Sequence, residues 1–140
     1  MSGTRKVVVT QRFFDERAIG YLRAHDCDVH VAEPAPSKSD GDLSADELRA
    51  LLSDADGWIV GHARVTRELL AALPQLQIVS RRGVGNERVD TAAAKQLGKV
   101  VCIAAGGNDA SVADHTIALM LAVGHRFRET QTNMIGGDWS

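Results

Sequence analysis

The chain has little that would force an unusual fold or partner. Among 140 residues there are two cysteines, Cys27 and Cys102, and a formal net charge of −2 at pH 7. A near-neutral balance gives no global attraction to nucleic acid or to an anionic membrane surface, so any anion recognition has to be local. No stretch approaches the roughly 20 continuous apolar residues that a membrane span needs. Met1 to Lys6 lead into a strand without an apolar targeting core, so a soluble, cytoplasmic protein is the expectation. The five histidines show no ligand pairing at helical or finger spacing, which leaves no candidate metal residues. His25 and His30 read as surface residues, and His115 and His125, ten positions apart, as structural ones. The sequence also lacks a G-x-S-x-G nucleophile elbow and a P-loop. A receiver domain needs acidic residues after its first and third strands; Thr10-Gln11 and Gly61-His62 stand there.

What is present is ordinary globular material, 44% hydrophobic and 24% charged. A chain of this length forms one domain and buries roughly 70% of its unfolded surface. Lys6 to Thr10 is a β-branched run, followed by a helical segment from Asp15 to Ala24 with Ala18, Ile19 and Leu22 on one face. Cys27 to Ala32 alternates as an edge strand does. Glu33 to Leu43 is the least structured stretch and is expected to be a mobile loop. Ser44 and Glu47 have capping-box spacing ahead of Leu48, Leu51 and Leu52. Trp58 to Gly61 is the third strand; Thr66 caps a helix carrying Leu69, Leu70 and Leu73, which Pro74 ends. Leu76 to Val79 and Lys99 to Ala104 are the last strands, with a helix between them capped by Asp90 and closed by Gly98. Ser111 to Asp114 repeats the cap pattern before a long helix from Val112 to Phe127, apolar on every side from Ile117 to Val123. Such a helix needs more than one partner surface.

Five β-then-α units imply an α/β fold with a parallel sheet covered on both faces, a flavodoxin-like three-layer sandwich of order 2-1-3-4-5. Cys27 and Cys102 then fall on opposite edges, about 19 Å apart at four strand spacings. A disulfide needs Cα atoms within about 7 Å, so free thiols are expected, in keeping with a reducing compartment. Ligands bind such sheets at the carboxyl ends of the strands, which brings Gln11, His62, Arg64, Gly83-Val84-Gly85 and Asn108 to one rim. The run Arg81 to Asp90 concentrates the unusual chemistry, with two glycines around Val84 and three arginines. Glycines let peptide amides approach a carboxylate closely, and Arg64 and Asn108 can add donors. The alternatives are a tight turn with solvated arginines, an Asn serving a turn and an Arg solubilising the rim. Gly83-x-Gly85 is no dinucleotide fingerprint, because the third glycine is replaced by Arg88 and the turn follows the fourth strand.

The run Gln77 to Asp90, followed by Gly107-Asn108-Asp109-Ala110-Ser111-Val112-Ala113-Asp114-His115, resembles the D-isomer-specific 2-hydroxyacid dehydrogenases, the phosphoglycerate branch among them. The resemblance covers nearly the whole chain. It implies that residues 1–110 are the flavodoxin-like substrate-binding domain, that 111–130 form a long helix completing the fold or connecting to a dinucleotide-binding domain, and that 131–140 are a tail. It further implies that the Gly83, Val84 and Gly85 amides hold the substrate carboxylate, that Asn108 faces the substrate, and that Arg64 lies near a basic substrate-contacting position. Asp109 and Val112 fall where the family touches the nicotinamide end of the cofactor. Asn86-Glu87-Arg88 and Arg82 depart from the family pattern, which leaves the identity of the substrate open.

The family's glycine fingerprint, catalytic Arg, assisting Glu and proton-transferring His correspond to positions after Ser140. Hydride transfer needs a bound cofactor and a general acid/base near the carbinol oxygen. The expectation is therefore a substrate-binding domain of an NAD-dependent dehydrogenase, with no catalytic residue of its own, inactive alone and binding no NAD. Its partners would be a small 2-hydroxy or 2-keto acid and a second copy through helix 111–127, with neither nucleic acid nor membrane. A flavodoxin-like ligand or flavin carrier, and a protein-interaction module using the last helix, are the rival readings. The residues after Thr10 lack the hydroxyl-rich phosphate cradle that a flavin carrier needs.

Overall fold

A computed structural model describes residues 3–32 and 38–139, which divide into two compact units, Met1–Ala105 and Gly106–Ser140. In the first unit the strands are β1 (Arg5–Val9), β2 (Cys27–Val31), β3 (Gly57–Val60), β4 (Ile78–Arg81) and β5 (Val100–Ile103). All pair in parallel in the order β2-β1-β3-β4-β5, as the βα repetition predicts. Cys27 and Cys102 lie on the two edge strands and are free thiols.

The helices are α1 (Glu16–Arg23), α2 (Ala45–Leu51), α3 (Arg67–Ala71) and α4 (Thr91–Gln96). Each starts where a side chain satisfies an otherwise orphan amide. Asp15, Ser44, Thr66 and Asp90 accept from the amides of Ala18, Glu47, Leu69 and Ala93, and Glu47 completes the capping box with Ser44. Gly98 sits at φ +68° just past α4, the left-handed stop that a glycine supplies without steric cost.

Register aligns Val8, Trp58, Val79 and Val101 across four strands. This row packs with Leu48 and Leu52 of the α2 region, Leu69, Leu70 and Leu73 of the α3 region, and Ala93 and Ala94 of α4. On the opposite face Val9, Val29 and Ile19 form a smaller cluster beneath α1. Only part of that second face is covered within this unit. Ile78 is 39% exposed and its register partner Val100 55% exposed, and Cys102 is exposed beside them. Among the described residues, every buried apolar side chain lies between Val8 and Ala94.

Two local expectations change. Glu33 to Ser37 lie outside the described residues, but the rest of the polar loop is ordered by a short 3₁₀ turn, Asp40–Asp42, with its own capping box between Ser39 and Asp42. The second unit holds α5 (Asp109–Gly124) and α6 (Phe127–Ile135). α5 begins at Asp109, before the expected Ser111 cap, with Asn108 in the cap position and no side-chain bond. α5 ends at Gly124, three residues short of the expected Phe127, and after Arg126 at φ +51° a second helix, α6, follows that has no counterpart in the sequence reading. No α5 residue is buried. No described helix is long and apolar enough to cross a membrane.

Candidate active-site rim

The carboxyl ends of β1, β3 and β4 carry Gln11, His62, Arg64 and the Gly83-Val84-Gly85 turn, and hydrogen bonds tie their loops together. Arg88 Nη1 donates to the His62 carbonyl at 2.9 Å, and Arg82 Nη1 donates to the Arg12 carbonyl at 3.4 Å. Val65 N donates to Arg88 O and Asp90 N to Val65 O, both at 2.9 Å, so the β3–α3 and β4–α4 loops form a short parallel bridge. Between these loops a cleft of about 450 Å³ is lined by Arg64, Thr66, Arg67, Glu68, Glu87, Arg88 and Asp90, with Val65 and Val89 at its floor. Arg64 is thus brought to Arg88 with acidic groups nearby. The Glu68 carboxylate is held below its ordinary value, first by its own backbone amide and then by the Thr66 hydroxyl.

Gly83, Val84 and Gly85 do not line this cleft; they form the turn that leaves β4. Gly83 has φ +157°, and a Cβ there would meet Arg81 Nη1 at 2.7 Å. Its amide already donates to Arg81 O at 2.9 Å, and its carbonyl accepts from Ala104 N at 2.9 Å. The Val84, Gly85 and Asn86 amides, by contrast, have no acceptor among the described residues. Successive unsatisfied peptide N–H groups in a turn make an anion-binding concavity. Of the three amides expected to contact a carboxylate, two are therefore free, and Asn86 adds one that the G-x-G spacing did not indicate. The helix that follows contributes no donor to the turn, since α4 starts at Thr91 and Asp90 caps it. Glu87, itself exposed, sits against Gly85, where a Cβ would run into its carboxylate, so a negative charge already lies beside this turn.

Asn108, Asp109 and Val112 lie in the second unit, at the cap and first turn of α5, and the Val112 side chain is 54% exposed. Gln11 brings a buried side-chain oxygen without a partner among the described residues, pressed against Gly61. Sequence reasoning missed Asp40 and Arg12 as rim residues, whereas Arg88 belongs to the arginine-rich run that it singled out. The Ser39-x-x-Asp42 spacing is the same capping signal as Ser44-x-x-Glu47 and is the one clue that the loop around Asp40 is built.

The parallel α/β sheet thus carries a glycine turn of free amides and clustered arginines at its carboxyl rim, the edge at which sheets of this class bind ligands. The family profile described as D-isomer specific 2-hydroxyacid dehydrogenase, catalytic domain, matches residues 7–136, and the chain belongs to that family. D-3-phosphoglycerate dehydrogenase of Archaeoglobus fulgidus is 33% identical over 135 residues, covering 96% of this chain and 24% of that protein. Among solved structures, a Thermus thermophilus protein is 28% identical with a TM-score of 0.81, covering 96% of this chain and 42% of that one. The NAD⁺-bound 3-phosphoglycerate dehydrogenase of Entamoeba histolytica is 26% identical with a TM-score of 0.68, covering 86% of this chain and 39% of that one. The chain thus spans about a quarter of the curated relative's length.

Proposed function

We propose that this chain is the substrate-binding domain of an NAD-dependent D-2-hydroxyacid dehydrogenase, with the helix that leads toward the cofactor. The observation that carries the reading is the row of free amides at Val84, Gly85 and Asn86 on the β4 turn. These hold the carboxylate of a 2-hydroxy or 2-keto acid, and Arg64 meets a more distant anionic group such as the phosphate of 3-phosphoglycerate. In the complete reaction a hydride passes between substrate C2 and the nicotinamide, with the hydroxyl proton taken up by a general base. Asp109 and Val112 are the candidates for contact with the nicotinamide end of the cofactor, by their place in the family pattern. The residues present do not make a dinucleotide site, because Gly83-x-Gly85 lacks the third glycine and follows the fourth strand. The chain alone therefore binds its acid weakly and does not turn it over. Free thiols at Cys27 and Cys102 suit a reducing, cytoplasmic setting. We also propose that the apolar surface of α5 from Ile117 to Val123 pairs two copies, since all its large apolar residues are exposed.

The test is titration of the labelled chain with hydroxypyruvate. Shifts centred on the Val84, Gly85 and Asn86 amides are expected, and NADH should not be consumed. A response elsewhere on the chain, or steady NADH oxidation, overturns the reading.

A further inference from the structure

Asp40 is 2% exposed, and among the described residues no cation pairs with it. A buried carboxylate persists when donors replace the water it has lost. Here there are three: Asp40 Oδ2 accepts from Thr10 Oγ1 at 2.9 Å and from Gly61 N at 2.6 Å, and Oδ1 accepts from His62 N at 2.7 Å. The Thr10 hydroxyl accepts from Trp58 Nε1 at 2.9 Å, which leaves its single proton for Asp40. Gly61 is shaped to this contact, since a Cβ there would lie 2.9 Å from Asp40 Oδ1 as well as against the Gln11 side-chain oxygen.

The consequence lies one peptide further on. His62 is held through its amide by Asp40 and through its carbonyl by Arg88, 22 residues after one partner and 26 before the other. Arg88 belongs to the loop that carries the Gly83–Gly85 turn, and its carbonyl accepts from Val65 N, next to Arg64. We propose that Asp40 is a positioning residue that sets the β3 exit, with Arg64, in register with the free amides of the β4 turn, so that two anionic ends of one substrate are met at a fixed separation. This rests on the carboxylate reading above. Binding groups held by packed supports outperform the same groups on loose loops, because less ordering has to accompany binding.

The experiment uses the full chain and hydroxypyruvate phosphate, which carries both anionic ends, with hydroxypyruvate as the single-ended control. Asp40→Asn keeps the shape but turns an N–H₂ toward one of the donors. A folded Asp40→Asn chain is expected to bind hydroxypyruvate phosphate at least fivefold more weakly while its affinity for hydroxypyruvate changes less, a difference that a purely stabilising residue would not create. Thr10→Ser, which keeps the hydroxyl, should bind as the wild type does, and Thr10→Val should move in the direction of Asp40→Asn. Equal affinities of wild type and folded Asp40→Asn for the phosphate ester overturn the proposal. If Asp40→Asn does not fold, equal affinities of the Thr10→Ser and Thr10→Val chains overturn it. If neither compound shifts the Val84 and Gly85 amides of the wild type, the carboxylate reading fails instead. Hydrogen exchange at the Val65 and Asp90 amides then decides about Asp40: acceleration in Asp40→Asn or Thr10→Val supports the positioning role, and no change overturns it.

Discussion

At single residues, the β4 turn makes opposing demands that substitution separates. Gly83 combines φ +157° with an arginine group 2.7 Å from where a Cβ would lie. Gly83→Ala should therefore cost about 1–3 kcal/mol of stability, read from urea unfolding, and should weaken hydroxypyruvate binding as the turn shifts. Glu87 has the reverse effect on binding alone, because its carboxylate lies against Gly85 and repels an incoming one. A like charge near 4 Å in water is worth about 1 kcal/mol, so Glu87→Gln should tighten hydroxypyruvate binding about fivefold without moving the unfolding midpoint. An unchanged dissociation constant would exclude a carboxylate site at Gly85. Lys99 shows the same logic in the core. Its ammonium bridges the Leu73 and Leu76 carbonyls at 2.7 Å each, beyond the end of α3. Lys99→Met leaves both carbonyls unsatisfied and should cost about 1–3 kcal/mol. Burial pushes the Lys99 pKa below its ordinary value. Between the folded value and the unfolded value of about 10.4, the unfolded chain binds more protons, so this group makes stability rise with pH. The margin of wild type over Lys99→Met, measured by urea unfolding, should widen across that window; a margin that narrows there would assign the wrong sign.

At the scale of elements, the helix starts were legible because a cap is written within four residues. Ser44 and Glu47 form the expected reciprocal pair, and the Glu47 carboxylate is held below its ordinary value first by the Ser44 amide and then by its hydroxyl. A depressed carboxylate contributes stability above its unfolded value, about 4.3, and loses it as pH falls through the folded one. Ser44→Ala should lower stability by about 1 kcal/mol at pH 7, and calorimetry of Glu47→Gln should show a shallower loss of melting temperature on acidification than wild type. The strands were legible from apolar runs, although β4 ends at Arg81, two residues beyond the expected Val79. What stayed hidden depends on distant partners. Asp40 looks like one more polar loop residue until Thr10 and Gly61, 30 and 21 positions away, are placed beside it. Gly124 closes α5 just before the break at Arg126, but the apolar run carried the expected helix on to Phe127, so α6 read as its end and a tail.

For the whole molecule, the sheet unit and the helical unit differ in how they bury apolar surface. Every buried apolar side chain among the described residues belongs to Met1–Ala105, whereas Ile117, Leu119, Met120, Leu121 and Val123 of α5 are each more than half exposed. A chain of residues 1–105 has two packed clusters and all four capped helices, and so contains what cooperative folding requires. Large contiguous apolar surface on the remaining residues favours association with another apolar surface over contact with water. The 1–105 chain should therefore unfold in a single urea transition and sediment as a monomer, while the full chain self-associates in a concentration-dependent way. Replacing Leu119 and Val123 of the full chain together by lysine should return it to a monomer with the urea midpoint of the sheet unit unchanged. A full chain that stays monomeric by light scattering at high concentration would remove α5 as a pairing surface, and a 1–105 chain without a cooperative transition would show that residues 106–140 are needed for the sheet to fold.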